Sequence, residues 1–338
     1  MFSFEDFRFQ GDEIRSLKHQ IDEGRLVHAL LITGGEGFGK RSLATTLAAA
    51  LLCEAQSGKP CFSCAACRLV SANEHPDITI IEKGVSLSPD TAKGRATIPV
   101  DDIREMIRIC SQFSFEGRCR VVMIIEAGNM TTQAQNSLLK ILEEPPANTY
   151  FLLTSAHPEQ LLTTVRSRCR TVRMIPWETS FIERTLIGSG VEEAKARKAA
   201  AAADGSIGYA LRLSSDDEYW KTREEVMNAF FRNRKRSELL GISSKWKDKK
   251  GEADTVFTIL ENLVHTLTVY RFQGGKERVA DFPADWIRFA EKAPLKQITG
   301  LNDRIREARK QITFNVNYQA VCEQLLLAFI GEIDQWAN

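Results

Sequence analysis

The sequence predicts an α/β fold, a parallel sheet with helices on both faces, continued by an all-helical C-terminal half. Three observations carry this. Short apolar, β-branched runs at Ala29-Leu30-Leu31-Ile32, Asp77-Ile78-Thr79-Ile80-Ile81, residues 120–125 and Tyr150-Phe151-Leu152-Leu153-Thr154 alternate with stretches of helical period. A glycine-rich stretch, Gly34-Gly35-Glu36-Gly37-Phe38-Gly39-Lys40-Arg41-Ser42, joins the first run to a helical pattern with Leu43, Leu47, Ala50 and Leu51 on one side. From Ser180 onward the strand signals largely stop.

Taken in order, residues 1–27 form a lead-in with one amphipathic helix over 12–24, where Ile14, Leu17 and Ile21 recur at helical spacing. The glycine stretch follows the first strand. Gly34, Gly39 and Lys40 stand at the G-x-x-x-x-G-K spacing, with Gly37 between them. Glycines let backbone N–H groups curl around phosphate oxygens, and the lysine meets the outer phosphates. The hydroxyl that would hold Mg²⁺ is replaced by Arg41, and Ser42 comes one residue late, about 100° further around the helix. The loop is shaped for nucleotide but lacks its magnesium ligand, so binding of ATP and Mg²⁺ does not follow from it. A tight strand-to-helix turn would ask for the same glycines.

A cysteine segment and a helix through Ala72 come next, then the strand at 77–81 and an exposed loop over 83–98. Residues 100–113 form a helix with Ile103, Met106, Ile107 and Cys110 on one face, and Asp101 and Asp102 lie near its positive end. The strand at 120–125 leads to a helix over 131–144 that stops at Pro145-Pro146. In open parallel sheets ligands gather at the carboxyl ends of the strands, where the glycine loop lies. Residues 180–213 form a small helical unit, with an Ala-rich segment at 192–203 and a turn at Asp204-Gly205. Residues 216–338 are mostly helical, with a solvated charged connection over 245–250. The last helix carries Tyr318, Val321, Cys322, Leu325, Leu326 and Phe329 on one stripe, the pattern of a core or a subunit interface.

Eight cysteines are present, and four fall within fifteen residues as Cys53-x7-Cys61-x2-Cys64-x2-Cys67. Two-residue spacers let successive sulfurs converge on one ion, and four thiolates complete a closed tetrahedral Zn²⁺ site with no open position for catalysis. A structural zinc is the expectation, with buried free thiols or a redox role as the alternatives.

Composition bounds the rest. The 338 residues provide for two or three domains, and 45 basic against 44 acidic residues leave no global field for nucleic acid or membrane. No apolar run approaches the roughly 20 residues that span a bilayer. The first residues carry acids and no basic region of a secretory signal. A cytoplasmic protein with no membrane contact is expected.

In their order, these motifs resemble those of the AAA+ clamp-loader subunits of bacterial DNA polymerase III. Residues 25–30 resemble the family's entry into its first core strand, and the four cysteines its zinc module. Residues 136–146, Asn-Ser-Leu-Leu-Lys-Ile-Leu-Glu-Glu-Pro-Pro, are similar to a family signature, and Ser167-Arg168-Cys169 matches its arginine-finger motif. The resemblance runs to about residue 213. It implies an AAA+ RecA-like domain over 1–175 with the zinc module at 53–67, an all-α lid over 176–214 and an all-α collar over 215–338. It also implies a heteropentamer with gamma/tau and delta subunits, which places a sliding clamp on primer-template DNA.

Four positions then separate hydrolysing members of that family from a member that does not hydrolyse. Arg41 removes the magnesium hydroxyl. Ile125 and Glu126 stand where hydrolysing subunits carry Asp then Glu, so a metal-holding carboxylate is absent. Gly208, in Gly205-Ser206-Ile207-Gly208-Tyr209-Ala210-Leu211, stands where they carry a phosphate-reaching arginine. Arg168, which would act in trans on a neighbour's nucleotide, is retained between Ser167 and Cys169, although a surface ion pair would also account for an arginine there. The resemblance therefore implies a subunit that turns over little or no ATP alone and lends Arg168 to an adjacent gamma/tau motor. Two rivals remain at this point. An active gamma/tau-type ATPase is favoured by Lys40 and Glu126 and opposed by Arg41, Ile125 and Gly208. A zinc-ribbon nucleic-acid module on a decayed nucleotide fold is opposed by the near-neutral charge.

Overall fold

A computed structural model of the chain describes residues 2–87, 94–111, 118–233, 239–246, 251–275, 279–314 and 316–334. The chain divides into two compact units, one of residues 1–178 with 205–209 and the other of residues 179–204 with 210–338.

The first unit begins with α1 (Asp12–Asp22), which buries Ile14, Leu17 and Ile21 as its period requires. Then come β1 (Ala29–Thr33), α2 (Lys40–Leu52), α3 (Ala65–Ala72), β2 (Ile78–Ile81), α4 (Val100–Cys110), β3 (Arg120–Ile124), α5 (Thr132–Glu143), β4 (Thr149–Ser155), α6 (Thr163–Arg166) and β5 (Arg170–Arg173). All five strands run parallel in the order β2-β3-β4-β1-β5. Register pairs Ala29 with Phe151 and Val122 with Phe151 on its other side. Alternation then sorts the side chains. Leu31, Val122, Ile124, Phe151 and Leu153 share a core with Ile103, Met106, Leu138 and Leu142 of α4 and α5. Alternate residues such as Leu30, Ile32, Val121 and Leu152 are also buried and turn to the opposite face. There α2 packs along β1 and β4.

The fifth strand is a correction to the sequence expectation. β5 sits at the sheet edge, and of its residues only Val172 is buried, while Arg170, Thr171 and Arg173 are exposed. An edge strand buried at one position leaves no apolar run to read. Thr131, at the expected start of the 131–144 helix, is its N-cap, accepting from the Ala134 N–H at 3.2 Å. Residues 112–113, the expected end of the helix from 100, and 88–93 of the expected exposed loop lie outside the described residues.

The second unit has helices and no strand among its described residues. It holds α7 (Thr179–Gly188), α8 (Glu193–Ala202), most of α9 (Ile207–Ser215), α10 (Asp217–Val226), α11 (Leu239–Trp246), α12 (Ala253–Gln273), α13 (Ala284–Lys292), α14 (Leu295–Thr313) and α15 (Tyr318–Asp334). A π-helical stretch, Met227–Arg232, follows α10 and carries Phe230 and Phe231 into an aromatic cluster with Trp246, Phe282, Trp286 and Phe329. The stripe expected on the last helix is buried. Residues 245 and 246 close α11, and the rest of the charged connection, 247–250, lies outside the described residues. No described helix is long and apolar enough to cross a membrane.

Candidate functional site

The glycine loop leaves the carboxyl end of β1, a strand with neighbours on both sides, and delivers Lys40 as the first residue of α2. Gly34, Gly37 and Gly39 all have positive φ, +147°, +71° and +90°, which only glycine adopts without strain. Lys40 is 5% exposed. Its Nζ donates to the carbonyls of Gly34 and Gly35, both at 3.0 Å, and lies 3.1 Å from Glu126 Oε1. Glu126 Oε2 accepts from the Ala156 N–H at 2.7 Å, and its own N–H donates to Thr154 Oγ1 at 2.9 Å. The carboxylate is thus fastened between the loop lysine and the end of β4. Ile125 beside it is buried, and Arg41 forms an ion pair with Glu82.

Residues 205–209, in the same unit, lie directly on this loop. The Ser206 hydroxyl donates to Glu36 O at 2.9 Å and the Gly208 N–H to Gly37 O at 3.0 Å. The indole Nε1 of Trp177 donates to Phe38 O at 2.8 Å. Every carbonyl from Gly34 to Phe38 therefore accepts a hydrogen bond from the chain itself. Packing is as close as the bonding. A Cβ on Gly37 would stand 2.2 Å from Ser206 Oγ, and one on Gly208 would stand 2.9 Å from Gly37 Cα.

The four clustered cysteines converge. Cys53 ends α2, Cys64 caps the start of α3, and the four Sγ atoms lie within 4.8 Å of one another. The N–H of Cys61 points at Cys53 Sγ, that of Cys64 at Cys61 Sγ and that of Cys67 at Cys64 Sγ, each at 3.4 Å. Sulfurs used as acceptors suit thiolates. The Ser63 hydroxyl, with the Ser63 and Cys64 N–H groups, draws the Cys61 thiol down to about 6. Burial pushes those of Cys53 and Cys67 up, so their ionisation calls for a cation within the set. The donor set fits a metal ion. Arg118 ties the module to the start of β3 through a 3.0 Å bond to Cys53 O.

Arg168 lies apart from both, between α6 and β5. Its Nε donates to Glu143 Oε1 at 2.7 Å, Nη2 reaches the same oxygen, and Nη1 donates to Thr164 O at 2.8 Å. Ser167 Oγ donates to the same carbonyl at 3.1 Å. Cys169 is buried in the sheet core, and burial raises its thiol to about 12, so it is an inert packing residue. The connector leading to α6 is held by buried Gln135 of α5. Its amide donates to Met130 O at 3.2 Å and Gln160 O at 3.3 Å and accepts from the Leu162 N–H at 2.7 Å.

Glu143, Gln135, Trp177 and Ser206 escaped the sequence reading. Glu143 and Ser206 stood inside recognised motifs, but their partners are 25 and 170 residues away in the chain, and no local pattern announces such pairs.

A parallel sheet with a phosphate-type loop at the end of β1, helices on both faces and a four-thiol module after α2 defines an AAA+ nucleotide-binding fold, followed by an all-helical region. The sequence matches the family described as "DNA polymerase III, delta subunit" over residues 9–178 and that described as "DNA polymerase III, delta subunit, C terminal" over residues 217–331. It is 28% identical to the DNA polymerase III subunit delta' of Bacillus subtilis, over 93% of this chain and 94% of that one. It is 35% identical to the delta' subunit of Haemophilus influenzae, over 67% of this chain and 69% of that one. The DNA polymerase III subunit tau of Salmonella typhimurium is 31% identical over 63% of this chain and 32% of its own. The chain belongs to the DNA polymerase III delta-prime family.

Proposed function

We propose that this chain is a ring member of a DNA polymerase III clamp loader that turns over little or no ATP itself and lends Arg168 to a nucleotide on an adjacent gamma/tau subunit. One contrast carries the reading. The chain's own loop is filled by its own groups, Lys40 against Glu126 and Ser206 and Gly208 against the loop carbonyls, while Arg168 keeps a guanidinium edge clear. Arg41 and Ile125 deprive the loop of two magnesium ligands, and Gly208 fits where no side chain fits. Arg168 in trans would neutralise charge on a transferring phosphoryl group. The four cysteines hold a structural Zn²⁺ that closes the end of α2 onto α3. Residues 176–214 serve as the lid and residues 215–338 as the collar that joins gamma/tau and delta subunits, and the assembly places the sliding clamp on primed DNA.

Reconstitution with gamma/tau and delta subunits tests this. Arg168→Ala should lower turnover at the served site by about 10³- to 10⁵-fold and slow clamp loading. Lys40→Ala should leave both unchanged. Unaltered turnover and loading in Arg168→Ala, or magnesium-dependent hydrolysis by the isolated chain, would overturn the reading.

A further inference from the structure

We propose that Glu143 is the positioning residue for Arg168, fixing the guanidinium while leaving one N–H on each Nη for a phosphate; this rests on the finger reading above. The contacts use three of the five guanidinium N–H groups, two on Glu143 Oε1 and one on Thr164 O. Nε and Nη2 form one edge of the plane, and that edge is taken by the carboxylate. One N–H of Nη1 is taken by the carbonyl. One N–H on each Nη is left over, and two such donors can meet two oxygens of a phosphate. No hydrogen bond to them is present among the described residues.

The placement of Glu143 argues for a task beyond helix stability. It is the last residue of α5, and Glu144 follows as the C-cap. Carbonyl groups at a helix C-terminus favour cations and disfavour carboxylates, so two acids there act against the helix. Arg168 offsets this for Glu143, whereas Glu144 has no ion pair among the described residues. The mounting is firm on both sides. Leu138 and Leu142 bury α5 in the sheet core, and Val165 buries α6 in the same core. A long side chain held between two anchored helices has already lost the rotamer freedom that an unheld finger would lose on reaching its phosphate.

The test measures kcat and KM for ATP in the reconstituted complex, subtracting turnover of the Arg168→Ala complex to isolate the served site. Glu143→Ala should lower kcat there by about three- to tenfold with KM little changed, the loss of an interaction made in the transition state. Glu143→Gln, which keeps an acceptor oxygen, should recover most of it, and Glu144→Ala should match wild type. Adding Glu143→Ala to Arg168→Ala should cost nothing more. Full kcat in Glu143→Ala beside a reduced Arg168→Ala would overturn the positioning role, as would losses that multiply in the double variant. An Arg168→Ala complex that turns over ATP like wild type would overturn the finger reading, and the positioning role with it.

Discussion

At the scale of single residues, Gly208 is a position where close packing demands glycine. A Cβ there would stand 2.9 Å from Gly37 Cα, a backbone atom that cannot swing aside. Gly208→Ala should therefore lift residues 205–209 from the loop and lower the stability of the first unit by about 1–3 kcal/mol, read from the urea midpoint. Gly208→Arg, which restores the basic residue expected of a hydrolysing relative, should destabilise at least as much and yield no ATP turnover by the isolated chain. Unchanged stability in both variants would show that the segment does not rest on the loop. Arg41 and Gly208 stood out in the sequence because a motif sets the expected residue type. Glu143 and Trp177 were not, because their roles are set by partners 25 and 139 residues away.

Among the elements, the buried strands and amphipathic helices were legible because each buries a continuous or periodic set of side chains. β5 was not, since an edge strand need bury only Val172 to hold its register with β1. The π-helical stretch was equally silent, although it aims two adjacent phenylalanines into one cluster. Phe231 touches Phe282, Trp286 and Phe329 with ring centroids 5.2, 4.8 and 5.5 Å away, and Trp286 Nε1 donates to its carbonyl at 3.0 Å. Phe231→Ala should cost the second unit about 3–5 kcal/mol by denaturant unfolding, more than an exposed aromatic such as Phe314→Ala, expected within about 0.5 kcal/mol. The cysteine module joins α2, α3 and β3 through its sulfurs and Arg118. Protein purified without chelator should contain about one zinc per chain, and Cys64→Ser or chelation at denaturing temperature should remove it and lower the melting temperature. Full stability of metal-free protein would leave the cluster without a structural task.

Across the whole molecule, four isolated thiols make stability depend on alkaline pH. Burial raises Cys110 to about 11, Cys119 to about 12, Cys169 to about 12 and Cys322 to about 11, from an ordinary 9.0. The first three lie in the sheet-bearing unit and the fourth in the helical one. Unfolded, each thiol loses its proton near pH 9, whereas folded it keeps the proton until pH 11 or 12. The folded chain then binds more protons than the unfolded chain, so stability is intact below pH 9 and falls as pH rises through that window. The limiting slope is about 1.4 kcal/mol per pH unit for each thiol. Unfolding free energies at pH 8.0, 9.5 and 10.5 should therefore decline, and Cys169→Ala and Cys322→Ala should each decline less steeply than wild type, whatever their stability at pH 8.0. Parallel slopes in all three proteins would mean that these thiols ionise in the folded state as readily as in the unfolded one. Because the two substitutions lie in different units, a probe confined to either unit should respond to its own cysteine alone if the units unfold separately, and to both if they unfold as one.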